Sequence, residues 1–220
     1  MNDLELIIFD MDGLMFDTER IAFACWKEAA YKNGYEIDEK IFAEVIGVNL
    51  AREKEIYLTH FGLQFPFEKI ESERFNLAEK FLAANGVPIK RGLYELLDYL
   101  DTLDIKKAVA TSTSKDRAVS LLKKAGIDRR FDYVLCGDEV EKSKPHPDIF
   151  LKVAAKLGCA PKRCLVLEDS EAGVIAAYRA GMPSIMIPDR KEPGENVKVL
   201  ALKQMLSLLD VKLYLEEVFG

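Results

Sequence analysis

Histidine is nearly absent: the 220-residue chain has two, His60 and His146. His60 precedes a turn and His146 sits in a Pro-containing loop, so no imidazole cluster exists to hold a zinc ion. The four cysteines, Cys25, Cys136, Cys159 and Cys164, form no C-x-x-C pair and have apolar or helix-patterned neighbours. Buried thiols in a reducing compartment are expected, not disulfides or a metal centre. No hydrophobic run approaches the roughly 20 residues of a membrane span. The start, "MNDLEL", carries acids where a signal peptide would carry bases. A cytoplasmic protein without a membrane partner is the expectation. Basic excess is also missing. A net charge of -6 argues against a general nucleic-acid binder, since a phosphate backbone calls for a basic face. There is no G-x-x-x-x-G-K-[ST] loop, no internal repeat and no low-complexity segment. A monomer is expected.

What is present is a well-supplied core, with 49% hydrophobic residues. "LELIIF" (4–9) predicts a short buried strand. From Thr18 the period changes to that of helices. "ERIAFACWKEAAYKNG", "DEKIFAEVIG", "NLAREKEIYLTHFG" and "FEKIESERFNLAEKFLAANG" predict four of them. Asp38 and Asn49 suit N-caps, and Gly34, Gly47, Gly62 and Gly86 suit stops. No strand is predicted between Asp17 and Pro88. Beyond "VPIKRG" helices and strands alternate: "LYELLDYLDTL", "IKKAVATS", "KDRAVSLLKKAGI", "FDYVLCGD", "PDIFLKVAAKLG", "KRCLVLED", "EAGVIAAYRAG" and "PSIMIPD". A polar loop over 188–198 and one or two closing helices from about Val197 follow. This order predicts an α/β fold, a parallel sheet with helices on both faces. An all-helical unit is inserted after the first strand. The boundaries expected are 1–15 with 89–220 for the α/β core, and 16–88 for the insert.

Ligands of open parallel sheets gather beyond the carboxyl ends of the strands. Those ends hold Asp10 and Asp12, then Thr111 and Ser112, then Lys144 in "EKSKPHPD", then Glu168 and Asp169. Any one acid there is more often a cap or a turn former, and Asp138 and Asp148 are read so. A lone lysine is usually a solvated side chain. Recurrence at successive strand ends favours a common site. Crowded carboxylates call for a cation, and an all-oxygen set suits a hard one such as Mg²⁺. Lys144 offers charge to a dianionic group and Ser112 a donor. Acids, a metal, a lysine and a hydroxyl together suit phosphoryl transfer with an aspartate nucleophile.

At these residues the sequence resembles the haloacid dehalogenase superfamily, in its helical-cap, β-phosphoglucomutase-like phosphatase group. "FDMDGLMFDT" is similar to the first motif, "VATSTSK" to the second, "SKPHPDIF" to the third and "VLEDSEAG" to the fourth. The resemblance covers essentially the whole chain and implies a Rossmann-like core with a mobile helical cap. It implies Asp10 as a nucleophile that forms an aspartyl-phosphate. Asp12 is implied as general acid and base that also offers its backbone carbonyl to Mg²⁺. Asp169 is implied as a metal ligand and Glu168 as a ligand or its supporting partner. Ser112 and Lys144 are implied as holders of the phosphoryl oxygens, with backbone N–H groups near Met11 and Asp12 assisting. Thr111 is the rival for the hydroxyl role, because alternation turns only one of the pair inward. Gly13 serves the backbone around the phosphate. Thr18 is expected as N-cap of the first inserted helix, with Asp17 beside it favourable to the dipole.

The implied activity is a Mg²⁺-dependent phosphatase of small phosphorylated metabolites, sugar phosphates above all. A β-phosphoglucomutase is the alternative. Mutases of the group carry a His four positions after the first-motif threonine and an Arg in a G-V-S-R segment. Ala22 and Leu50 occupy those positions here. Arg52 and Arg74 are candidate substrate contacts, with a solvated helix face as the plainer explanation. Trp26, on the first inserted helix, is a candidate reporter of cap motion.

Overall fold

Leu6–Phe9 are wholly buried, as befits a strand with neighbours on both edges and layers on both faces. The computed structural model describes residues 3–46, 48, 50–189 and 192–219. In it this strand, β1, pairs in parallel with β2 (Lys106–Ala110) on one side and β4 (Cys164–Glu168) on the other. β3 (Tyr133–Leu135), β5 (Ser184–Met186) and β6 (Lys203–Gln204) complete a parallel sheet in the order β3-β2-β1-β4-β5-β6. The order reverses between β1 and β4, which makes that junction the topological switch point.

Alternation sorts the strand residues. Leu6, Ile8, Ala108, Ala110 and Val166 turn to one face. They pack with Ile149, Phe150, Val153 and Ala154 of α7 (Asp148–Leu157) and with Ala176 and Ala177 of α8 (Glu171–Arg179). Full burial of each large side chain is worth about 1.5–3 kcal/mol, so this layer contributes substantially to stability. α5 (Leu93–Leu100) buries Leu93, Leu96, Leu97 and Leu100 at one-face helical spacing and packs with α10 (Leu208–Phe219). α6 (Lys115–Lys124) follows β2.

The contacts divide the chain into two units, Met1–Phe16 with Ile89–Gly220, and Asp17–Pro88. The second contains α1 (Thr18–Lys32), α2 (Glu39–Val45), α3 (Leu50–Phe61) and α4 (Phe67–Asn85), with no strand among its described residues. Its core is aromatic: Trp26 lies 4.7 Å from Tyr57 and 5.6 Å from Phe67, centroid to centroid. Asp38 caps α2, accepting from the Ile41 N–H at 2.8 Å. Gly34, Gly62 and Gly86 have φ values of 82–85° or 76°, as chain reversals after helices demand. Asn49 and Gly47, expected as cap and stop, lie outside the described residues.

Several local expectations need correcting. The N-cap position of α1 is Asp17, not Thr18, which is the first helical residue and buried. Asp17 makes no side-chain capping bond; its Oδ2 lies 3.1 Å from Arg20 Nε instead. β6, with two exposed residues, has no periodicity to find. The 188–198 segment is not loop throughout, since Glu195–Lys198 form the short helix α9. No helix among the described residues is long and apolar enough to cross a membrane.

Candidate active site

β1 ends at Phe9, and Asp10 follows with its backbone N–H donating to Leu167 O at 3.0 Å. The next turn is tied back by Met15 and Phe16 N–H groups, both donating to Met11 O, and by Gly13 N–H donating to Phe16 O. The Met11 side chain is fully buried, so only its backbone faces the turn. On the adjacent strand β4 ends at Glu168, and Asp169 follows. The switch point thus brings the pair Asp10 and Asp12 to the pair Glu168 and Asp169, more than 150 positions away in sequence. Carboxylate oxygens of Asp10, Glu168 and Asp169 all lie within 4.8 Å of one another.

Lys144 enters from the loop before α7. Its ammonium donates to Asp10 Oδ1 at 2.5 Å, to Glu168 Oε1 at 2.6 Å and to Ala110 O at 3.0 Å, with the Phe150 ring 5.0 Å away. All three donors are therefore used. Burial works against the charge on Lys144, but Asp10 and Glu168 outweigh it and hold the ammonium above its usual range. Burial also pushes the Asp10 carboxyl up, to about 7. Lys144 opposes that rise, while Glu168 and Asp12 add to it. Two carboxylates share one cation, so negative charge is left over, as a divalent ion would require.

Both carboxylate oxygens of Glu168 have partners. Its Oε2 accepts from the Ser170 N–H at 3.2 Å and the Ser170 hydroxyl at 3.0 Å. Ser170 Oγ in turn accepts from the Gly173 N–H at 3.1 Å and caps α8. Glu168 thus ties Lys144 to the cap of α8 from within the acidic cluster. Two glycines make room for the acids. A Cβ on Gly13, whose φ is +83°, would lie 2.2 Å from Asp169 Oδ2, and one on Gly173 would lie 2.0 Å from Glu168 Oε1. An all-oxygen set of this density, with a surplus of charge, fits a hard divalent cation.

The loop after β2 contributes the hydroxyls. Thr111 is buried, and its Oγ1 accepts from the Thr113 N–H at 3.1 Å. Ser112 is exposed. Thr113, which the sequence did not single out, donates its hydroxyl to Asp12 Oδ2 at 2.7 Å. The only sequence signal for it was its place inside "TSTS". Asp138 reaches across to accept from the Lys115 N–H at 3.1 Å, the first residue of α6, so it caps a helix that is remote in sequence.

In the helical unit Arg52 is exposed and paired with Glu55 of its own helix at 2.8 Å. Arg74 is not on a solvated face. It is buried, with its guanidinium 5.2 Å from the Trp26 ring centroid and 3.5 Å from Glu71.

Comparison with known proteins identifies the chain's relatives. Residues 7–187 match the family described as haloacid dehalogenase-like hydrolase. A Thermotoga maritima protein named phosphorylated carbohydrates phosphatase is 31% identical over 182 residues, 83% of this chain and 84% of its own. The β-phosphoglucomutase of Bacillus subtilis is 30% identical over 185 residues, 81% of each chain. The crystal structure of a β-phosphoglucomutase from Clostridium difficile superposes with a TM-score of 0.80 at 26% identity, covering 97% of this chain and 96% of that one.

Proposed function

Because the chain belongs to the haloacid dehalogenase-like hydrolases and is a phosphatase, we propose that it hydrolyses phosphate monoesters of small metabolites, sugar phosphates above all, through an aspartyl-phosphate on Asp10 and with Mg²⁺. The observation that carries this is the arrangement of Asp10, Lys144, Glu168 and Asp169 at the switch point. Lys144 holds Asp10 Oδ1 and leaves Oδ2 to form the new bond to phosphorus. Asp12 gives a proton to the leaving oxygen as the P–O bond breaks. It then takes a proton from the water that attacks the aspartyl-phosphate, which frees phosphate and restores the Asp10 carboxylate. Ser112, exposed at the loop after β2, holds a phosphoryl oxygen with backbone N–H groups of the 11–13 turn assisting, and Lys144 supplies positive charge beside the phosphoryl group, one of its present N–H bonds turning to a phosphoryl oxygen when the group is bound. Asp10, Asp169 and the Asp12 carbonyl would hold the cation, with Glu168 supporting. The cation supplies charge neutralisation for a phosphoryl group brought among acids. The helical unit takes the part of the family's cap and selects the substrate. A reducing, cytoplasmic setting fits its four free thiols.

The test is phosphate release from p-nitrophenyl phosphate with Mg²⁺, and with a panel of phosphorylated metabolites scored for both phosphate and isomer. Activity is expected to vanish in Asp10→Asn and with a chelator, and to return when Mg²⁺ is added back to the wild type. Full activity of Asp10→Asn would overturn the proposal. Glucose 6-phosphate formed from β-glucose 1-phosphate faster than phosphate is released would replace hydrolysis by the mutase reaction.

A further inference from the structure

Thr113 is fixed from three directions. Its N–H donates to the buried Thr111 hydroxyl at 3.1 Å, its carbonyl accepts from the Gly137 N–H at 3.0 Å, and its own hydroxyl donates to Asp12 Oδ2 at 2.7 Å. Gly137 permits this closeness, since a Cβ there would lie 2.1 Å from Ser112 O. The strand end of β2, the loop after β3 and the turn after β1 therefore meet at one residue, whose hydroxyl makes the bond to Asp12. A hydroxyl held in this way has few other orientations, and the carboxylate it binds is restrained with it.

We propose that Thr113 is the positioning residue of Asp12. It fixes which carboxyl oxygen carries the proton that the leaving group receives. The inference rests on the role of Asp12 as general acid proposed above. The Thr113 O–H occupies Oδ2 as an acceptor, so the acid's proton resides on Oδ1. As the P–O bond breaks, that proton passes from Oδ1 to the leaving oxygen. The carboxylate left behind keeps the Thr113 hydrogen bond, which strengthens as its acceptor becomes charged. When water attacks the aspartyl-phosphate, its proton returns to Oδ1. Thr113 touches neither substrate nor phosphorus; it acts through Asp12 alone.

A positioned acid matters in proportion to how much the leaving group needs a proton. The test compares kcat/KM for p-nitrophenyl phosphate, whose phenolate departs unaided, with kcat/KM for benzyl phosphate, whose alkoxide does not. The variants are Thr113→Val, which keeps the shape and loses the donor, Thr113→Ser, which keeps the donor, and Asp12→Asn. Thr113→Val is expected to lose about tenfold or more on benzyl phosphate and less than about threefold on p-nitrophenyl phosphate. Thr113→Ser should stay near wild type on both, and Asp12→Asn should show the Val pattern in a larger form. If Thr113→Val does not fold, Thr113→Ala is read in its place. Equal losses on both esters, or a Ser variant as poor as Val, while Asp12→Asn still discriminates, would overturn the role of Thr113. Absence of discrimination in Asp12→Asn would overturn the acid itself and the inference with it.

Discussion

Gly13 and Asp169 touch so closely that no side chain fits between them: a Cβ on Gly13 would lie 2.2 Å from Asp169 Oδ2 and 2.9 Å from its Cγ. The turn after β1 and the end of β4 are thereby locked to one spacing, and the Asp10–Asp169 distance is set by it. Gly13 also has φ +83°, where any other residue is strained. Gly13→Ala should cost about 1–3 kcal/mol of stability from the strained backbone and the forced contact. It should also push Asp169 away from Asp10, so the Mg²⁺ needed for half-maximal activity should rise tenfold or more. Titration of activity with Mg²⁺, beside a urea melt, checks both; an unchanged Mg²⁺ requirement would show that the contact does not set the site.

Asp10 gives the metal-free protein a distinctive pH dependence. Its carboxyl is raised from 3.8 to about 7, by burial first and then by Glu168 and Asp12, against the pull of Lys144. The unfolded chain loses that proton near pH 4 and the native chain near pH 7. Between the two the native state binds more protons, so this contribution to stability is full below about pH 4 and falls as pH rises to about 7, by at most about 1.4 kcal/mol per pH unit. A cation among the acids favours the carboxylate and removes the slope. Urea midpoints from pH 5 to 8 should therefore fall more steeply in chelator than in saturating Mg²⁺. Parallel profiles in the two conditions would contradict the assignment of Asp10 to the metal.

How much of this was legible beforehand follows from how local each signal is. "LIIF" running into Asp10 declared a buried strand with a charged end, because four consecutive apolar residues leave no wet face. The order of strands and helices gave the parallel sheet, and recurrence of acids at strand ends gave the cluster. Lys144 was legible from its place beyond a strand end, but nothing in "SKPHP" says that its ammonium spends all three donors on Asp10, Glu168 and Ala110 O. Thr113 was not legible, because its role depends on loop geometry that brings residue 113 to residue 12. Arg74 misled: charge on a helix suggests solvent, yet the guanidinium stacks on Trp26. β6 was invisible because two exposed residues, Lys203 and Gln204, carry no pattern.

The four thiols should be poor nucleophiles in the native protein. All four cysteines are buried. Burial, with Glu139 and Asp138 adding to it, pushes the Cys136 thiol up to about 12, and burial beside Cys159 does the same for Cys164. Thiolate is the reactive form, so at pH 8 only a minute fraction of either is available. Titration with a disulfide reagent should find little fast reaction in the folded state and four thiols after denaturation. Rapid native modification of Cys136 or Cys164 would show that the surrounding elements open easily.

Arg74 separates two ways in which a buried cation can matter. The residue is 8% exposed, its Nε has no hydrogen-bond partner, and its guanidinium lies over Trp26 at 5.2 Å. The cation–π contact is worth about 2 kcal/mol when desolvated and the orphaned Nε costs about 1–3 kcal/mol, so the two nearly cancel, and the part-exposed Glu71 pair at 3.5 Å adds about 0–1 kcal/mol. Arg74→Met keeps the length, relieves the Nε and loses the contact; its stability should stay within about 1 kcal/mol of wild type. Arg74→Ala leaves a hole against Trp26 and should cost about 2–4 kcal/mol. Both should shift Trp26 emission, since the only tryptophan loses its charged neighbour. Urea unfolding followed by that emission reads the difference. If Met is as damaging as Ala, the charge itself is required, and packing against Trp26 is not what keeps an arginine in this core.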